Sequence, residues 1–163
     1  MFRRLGLLSL AIGLVVGACD DDDPVEPTVE RFTAALSGAN ESPAVTTNAS
    51  GNGTFTIDGN DIDYTVTITN WPAGATVDGA HIHFAPAAGQ TTGGVMIPFP
   101  TSGTGAITAA GGTGTVTGIT NDQLALIRAG GTYFNVHSST TTGSPCPPHC
   151  LGGLIRGPLV RQP

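Results

Sequence analysis

The chain has 163 residues, and twelve acidic residues outnumber its six basic ones, which gives a formal net charge of −6. A surface this acidic cannot neutralise the phosphates of a nucleic acid, so nucleic-acid binding is excluded. The composition is rich in Gly, Thr and Val and contains no lysine. Such a composition favours short strands joined by turns over helices.

The first 18 residues are organised like a secretory signal peptide. Arg3 and Arg4 supply a basic start, residues 5–16 form an apolar run, and small residues precede Cys19. The run is shorter than the roughly 20 residues that a membrane-spanning helix needs. The sequence therefore predicts an exported lipoprotein that is cleaved before Cys19 and held on a membrane by acyl chains on this cysteine.

Residues 19–30 are predicted to form an acidic tether behind the lipid. Four consecutive aspartates, Asp20–Asp23, are followed by prolines, and no apolar period is present that could be buried. Residues 31–163 remain as one domain of a size that supports a single core. Without the signal peptide the net charge is −8, and the predicted location is the periplasm or the cell surface.

From Arg31 onward, short apolar or alternating segments bounded by Gly, Pro, Asn and Ser predict strands. The clearest is residues 62–69, where large apolar residues alternate with Asp and Thr. The predicted strands are 32–36, 53–57, 62–69, 79–84, 94–99, 103–107, 114–117, 132–138 and 154–160. Many short strands at this spacing indicate an all-β sandwich or barrel.

One short helix is predicted to interrupt the strands. Thr120 and Gln123 have the spacing of a capping box, Leu124 begins an apolar stretch, and two glycines at 130–131 end it.

Three histidines are the best candidates for a functional site. In a strand, His81 and His83 point to one face while Ile82 points to the core. The same alternation places His137 on the outer face of its own strand. If the two strands are neighbours, the three rings supply the nitrogen ligands that suit zinc or copper. The alternative is that outward histidines only hydrogen-bond across strands or bind water.

Cys146 and Cys150 lie in one Pro-rich segment together with His149. In an oxidising compartment such a pair most often forms a local disulfide, although a metal or redox role and free thiols stay open as alternatives. The histidine precedes the second cysteine, so the segment is not a haem-attachment signature. His149 is a candidate fourth metal ligand.

Six motifs, in this order, resemble the CHRD (chordin) domain family. They are Phe32–Val45, Gly51–Phe55, Tyr64–Val66, Gly79–His83, Gly131–His137 and Ile155–Leu159. The resemblance extends from Phe32 to Leu159. It implies an immunoglobulin-like, Greek-key β-sandwich in an extracytoplasmic setting.

Two features depart from the family pattern. Leu154 stands where the family usually has an acid before Ile155 and Arg156, so we expect Arg156 to lack that carboxylate partner. The segment 138–153, which holds the cysteine pair, is longer than the family needs. Arg156 is a candidate anion contact.

A looser similarity connects the His-x-His strand and His137 with copper–zinc superoxide dismutase. The zinc-binding and bridging histidines of that enzyme have no counterpart here.

Three hypotheses for the function follow from these observations. The first is a non-enzymatic, membrane-tethered binding domain that displays a copper or zinc site. The second is a dismutase-like copper redox enzyme in which Arg156 attracts an anionic substrate. The third is a purely structural or adhesive surface module.

No catalytic residue is assigned, because neither a Ser-His-Asp arrangement nor a carboxylate pair stands out. The membrane is the only partner that the sequence indicates.

Overall fold

The computed structural model describes residues 29–85, 92–139 and 153–163. Within these ranges the strands are β1 (Glu30–Ser37), β2 (Ser50–Asp58), β3 (Asp61–Thr69), β4 (Val77–Phe84), β5 (Gly94–Pro98), β6 (Gly111–Val116), β7 (Thr132–Ser138), β8 (Ile155–Pro158) and β9 (Val160–Arg161). One helix, α1 (Asn121–Ala129), lies between β6 and β7, and a 3-10 turn at Gly38–Asn40 follows β1. No helix of these ranges has the length and apolar composition that crossing a membrane requires.

The strands form one curled antiparallel sheet. Their order is β5-β4-β7-β8-β1-β2-β3-β6, and β9 also pairs with β1. The two halves pack against each other, since the Phe55 ring of β2 lies 5.1 Å from the Phe134 ring of β7. The predicted all-β sandwich with one short helix is confirmed, and its two layers are continuous through the β8–β1 pairing.

The core follows the alternation that the sequence predicts. In β3, Ile62, Tyr64 and Val66 are each at most 2% exposed, while Asp63 and Thr65 between them face solvent. Period-two burial of this kind places every second side chain of a strand in the space between the two layers.

Helix α1 begins and ends where predicted. The Thr120 hydroxyl accepts a hydrogen bond from the Gln123 backbone, and the Gln123 side chain accepts one from the Thr120 backbone, which completes the capping box. Leu124 and Ile127 are buried in the core. Gly130 ends the helix at a φ of 83°, a conformation that glycine adopts without steric cost.

The predicted strand at 103–107 is wrong. Gly103 and Gly105 have φ values of 77° and 73°, which lie in the left-handed region and turn the chain. Ile107 is buried, and its backbone donates to Pro100 rather than to a ladder partner. The predicted strand at 154–160 is two short strands, β8 and β9.

Candidate metal centre

The three histidines lie on two neighbouring strands. Strands β4 and β7 pair antiparallel, with His137 opposite Gly79 and His83 opposite Tyr133. Ile82, between the two β4 histidines, is fully buried in the core, so the histidines lie on the opposite face. This face is largely covered, because His83 is only 7% exposed and His81 and His137 are half-buried.

The structure brings the three imidazoles together. One ring nitrogen of each residue lies within 4.8 Å of the corresponding nitrogens of the other two. The ring centroids are 5.2 Å apart for His81 and His137 and 5.6 Å apart for His81 and His83. Nitrogens that share one ion lie roughly 3–4 Å apart, since each bond is about 2.0–2.1 Å long. This separation is within the limit found for the cluster.

Three ring nitrogens are buried and have no hydrogen-bond partner in the described part of the chain. They are His81 Nδ1, His83 Nε2 and His137 Nε2. More than nine in ten buried polar groups in proteins do have a partner. Three unsatisfied atoms on three adjacent rings therefore require an explanation.

The His83 ring is fixed by its surroundings. Its Nδ1 lies 3.0 Å from the carbonyl oxygen of Gly93. In a neutral ring this hydrogen bond places the proton on Nδ1 and leaves the Nε2 lone pair free. A metal-binding histidine usually makes such a hydrogen bond through the ring nitrogen that does not bind the metal. Tyr133 stacks on His83 at a centroid distance of 5.0 Å and an interplanar angle of 3°, and its hydroxyl accepts a bond from the Gly93 backbone.

Gly79 makes room for the cluster. A Cβ atom at this position would lie 2.8 Å from Cε1 of His81 and 3.5 Å from the side chain of His137. Any larger residue would displace the His81 ring.

Burial favours the neutral form of all three imidazoles. It lowers the pKa of His137 to about 4, to which the neighbouring His81 and His83 also contribute, while Asp78 opposes the shift. Burial is also the largest cause that lowers the pKa of His81 and of His83. A neutral imidazole is the form that binds a metal.

Arg156 has a carboxylate partner other than the acid that Leu154 replaces. Its Nε lies 3.7 Å from Oε2 of Glu41 and also donates to the carbonyl oxygen of Asn40. Ser37 pairs with Arg156 across β1 and β8, and the turn after Ser37 carries Glu41 to the guanidinium. The guanidinium carbon also lies 4.7 Å from the centroid of the Tyr133 ring.

Glu41 is a buried carboxyl that the sequence analysis did not single out. It is 7% exposed, and burial raises its pKa to about 7, while the charge of Arg156 opposes that shift. Its position inside a family motif, Phe32–Val45, was the available signal. Tyr133 could also have been found, because strand alternation puts it on the face of His137.

Several predicted residues lie outside the described ranges. They are Cys19, Cys146, His149 and Cys150. Lipid attachment, the disulfide and a fourth histidine ligand therefore stay predictions, as does an anion contact at Arg156.

Comparison with known proteins gives one match. The sequence model of the CHRD domain family matches residues 32–144, which include most of β1, all of β2 to β7 and all three histidines of the cluster. No curated protein and no solved structure matches the chain.

Proposed function

The chain belongs to the CHRD domain family, and we propose that it is a binding domain that holds a copper or zinc ion on His81, His83 and His137. CHRD domains are extracellular and of a binding type. The observation that carries the metal proposal is the set of three buried ring nitrogens without hydrogen-bond partners in the described ranges. They belong to rings whose nitrogens approach one another within 4.8 Å.

A purely structural role explains these nitrogens poorly. A histidine network that only joined strands would satisfy its buried atoms, since each unsatisfied group costs about 1–3 kcal/mol. In the cluster, His83 makes its hydrogen bond to Gly93 through Nδ1 and leaves Nε2 unused. A single ion satisfies three lone pairs at once, which removes the cost at all three positions.

The ligand chemistry favours copper or zinc. Imidazole nitrogen suits both metals, and copper(II) forms the tightest complexes of the divalent first-row series. Within the described residues, the group that could hold an ion consists of these three histidines alone, with no carboxylate or thiolate. Calcium and magnesium prefer oxygen ligands and do not fit this set.

We further propose that the domain is anchored to a membrane. The signal-like residues 1–18, Cys19 and the acidic tether support this part of the proposal. Several acyl chains on one cysteine bind a membrane stably, whereas a single chain does so only marginally.

A copper redox enzyme would use the same three ligands. That hypothesis also assigns the attraction of an anionic substrate to Arg156, which is buried and contacts Glu41, Asn40 and Tyr133. A binding domain needs no such role from Arg156, so we prefer it.

Titration calorimetry of the purified metal-free protein with copper(II) and with zinc tests the proposal. We expect one ion per chain. His81→Ala, His83→Ala and His137→Ala should each weaken binding at least tenfold, because two imidazoles remain. Thr65→Ala, an exposed substitution in β3, is the matched control and should bind like the parent protein. Absence of binding, or equal affinity in all three histidine variants, would overturn the proposal.

A further inference from the structure

We infer that the metal ion keeps one open coordination position and takes a small monoanion from solution as its fourth ligand. This inference rests on the proposed function and adds the class of ligand that the loaded centre binds.

The described residues place all three histidine ligands on one side of the ion. His81 and His83 are two residues apart on β4, and His137 lies on the adjacent β7, so all three side chains rise from one face of the sheet. An ion bound to them lies above that face, and its protein ligands approach from the sheet side. Zinc and copper(II) usually bind at least four ligands, and zinc centres with three protein ligands place an exogenous group in the fourth position.

The charge balance favours an anion in that position. Three neutral imidazoles compensate none of the ion's charge. Two charged groups of the described chain act on the cluster: Asp78 acts on His81 and His137, and Arg156 acts on His83. Their opposite charges offset each other. An ion in a largely buried site therefore keeps its full charge unless a fourth ligand brings a negative one.

The described residues also indicate where the anion arrives. His83 is covered by Tyr133 and the Gly93 backbone, whereas His81 and His137 are half-buried. Asp78 is exposed and occupies the bulge between Val77 and Gly79, directly before the residue that pairs with His137. An anion that approaches on this side passes the carboxylate of Asp78. This carboxylate weakens anion binding without touching the ion.

Azide is a suitable probe because it is a small monoanion and gives a charge-transfer absorption band when it binds copper(II). The protein loaded with one copper(II) is titrated with azide and followed by visible absorption. We expect a new band that saturates at one azide per copper.

Asp78→Asn should bind azide about two- to tenfold more tightly at low ionic strength, because a nearby negative charge is removed. Asp122→Asn removes the same charge from the exposed start of α1 and serves as the matched control, with unchanged azide affinity.

The outcomes separate this inference from the function on which it rests. A protein that binds no copper overturns both. A protein that binds one copper but shows no azide band overturns the open position and leaves the metal centre intact. A band that appears only in His149→Ala shows that this histidine fills the fourth position, and it overturns the inference as well. Equal azide affinity in Asp78→Asn and Asp122→Asn contradicts the proposed approach past Asp78.

Discussion

At the scale of single residues, the histidines of the proposed metal site also affect the stability of the metal-free domain. Burial lowers the pKa of His137 to about 4, from an ordinary value of 6.5. The unfolded chain therefore takes up a proton at a higher pH than the folded chain does. The stability that comes from a neutral His137 is complete above pH 6.5 and is lost as the pH falls towards 4.

We therefore predict that the metal-free protein loses stability between about pH 6.5 and 4, and that His137→Gln loses less over the same window. The glutamine is polar but cannot be protonated. Urea unfolding at half-unit pH intervals measures both proteins. Parallel pH profiles for the parent and the variant would show that His137 does not titrate in this way.

Glu41 has the opposite dependence on pH. Burial raises its pKa from 4.5 to about 7, so the folded state favours the neutral carboxyl. Its contribution to stability is complete below pH 4.5 and is lost as the pH rises through 7. The loss is of the order of 1–3 kcal/mol, because one pKa unit corresponds to about 1.4 kcal/mol and the neighbouring Arg156 retains other partners.

Relative to the parent protein, Glu41→Gln should therefore lose less stability as the pH rises from 5 to 8. The measurement is denaturant unfolding of both proteins at those two values. His137 also affects stability at pH 5, but it is present in both proteins, so its effect cancels in the comparison. Asp58→Asn, at the exposed end of β2, is the control for the loss of one charge. If Glu41→Gln keeps the parent's full difference, the carboxyl is already ionised at pH 5.

At the scale of elements, the pairing of β4 with β7 brings the three histidines together, and Gly79 lies against the side chains of His81 and His137. We predict that Gly79→Ala leaves the protein folded but weakens metal binding roughly tenfold or more, because the added Cβ displaces the His81 ring. Gly94→Ala is the matched control, since a Cβ there meets nothing within 4 Å. Calorimetric titration with zinc compares the two. Equal affinities would mean that the cluster tolerates a shifted His81.

Which elements could be predicted from the sequence depends on how local their cause is. The alternation in β3 and the capping box of α1 depend on residues close together in the sequence, and both predictions are confirmed. The strand prediction for 103–107 is wrong because two of its glycines adopt positive φ, and the sequence alone does not indicate which conformation a glycine adopts. The bulge that isolates Asp78 depends on the register with β7.

The same reasoning holds for the site. Strand alternation places the three histidines on outer faces, but only the pairing of β4 with β7 brings His137 to the other two. Glu41 and Arg156 are separated by most of the domain, and they meet because β1 and β8 are neighbours. A contact of this range follows from topology, which a single sequence does not specify.

At the scale of the whole molecule, we propose that the domain lies behind an acidic tether and a lipidated cysteine. We predict that Cys19→Ala leaves the domain folded and releases it from membranes, because the acyl chains alone supply the attachment. Fractionation of cells that produce the parent and the variant measures this. A variant that still sediments with membranes after a high-salt wash would show a second anchor and contradict the lipoprotein proposal.

The central claim is that one ion is held by three imidazoles of a curled β-sandwich. X-ray absorption spectroscopy of the protein loaded with one zinc or copper(II) ion tests it most directly, since the spectrum gives the type and distance of the ligands. We predict three imidazole nitrogens at roughly 2.0–2.1 Å and one further nitrogen or oxygen ligand. A sulfur ligand at roughly 2.3 Å, or fewer than three imidazoles, would show that the ion is bound elsewhere in the chain and would contradict the account.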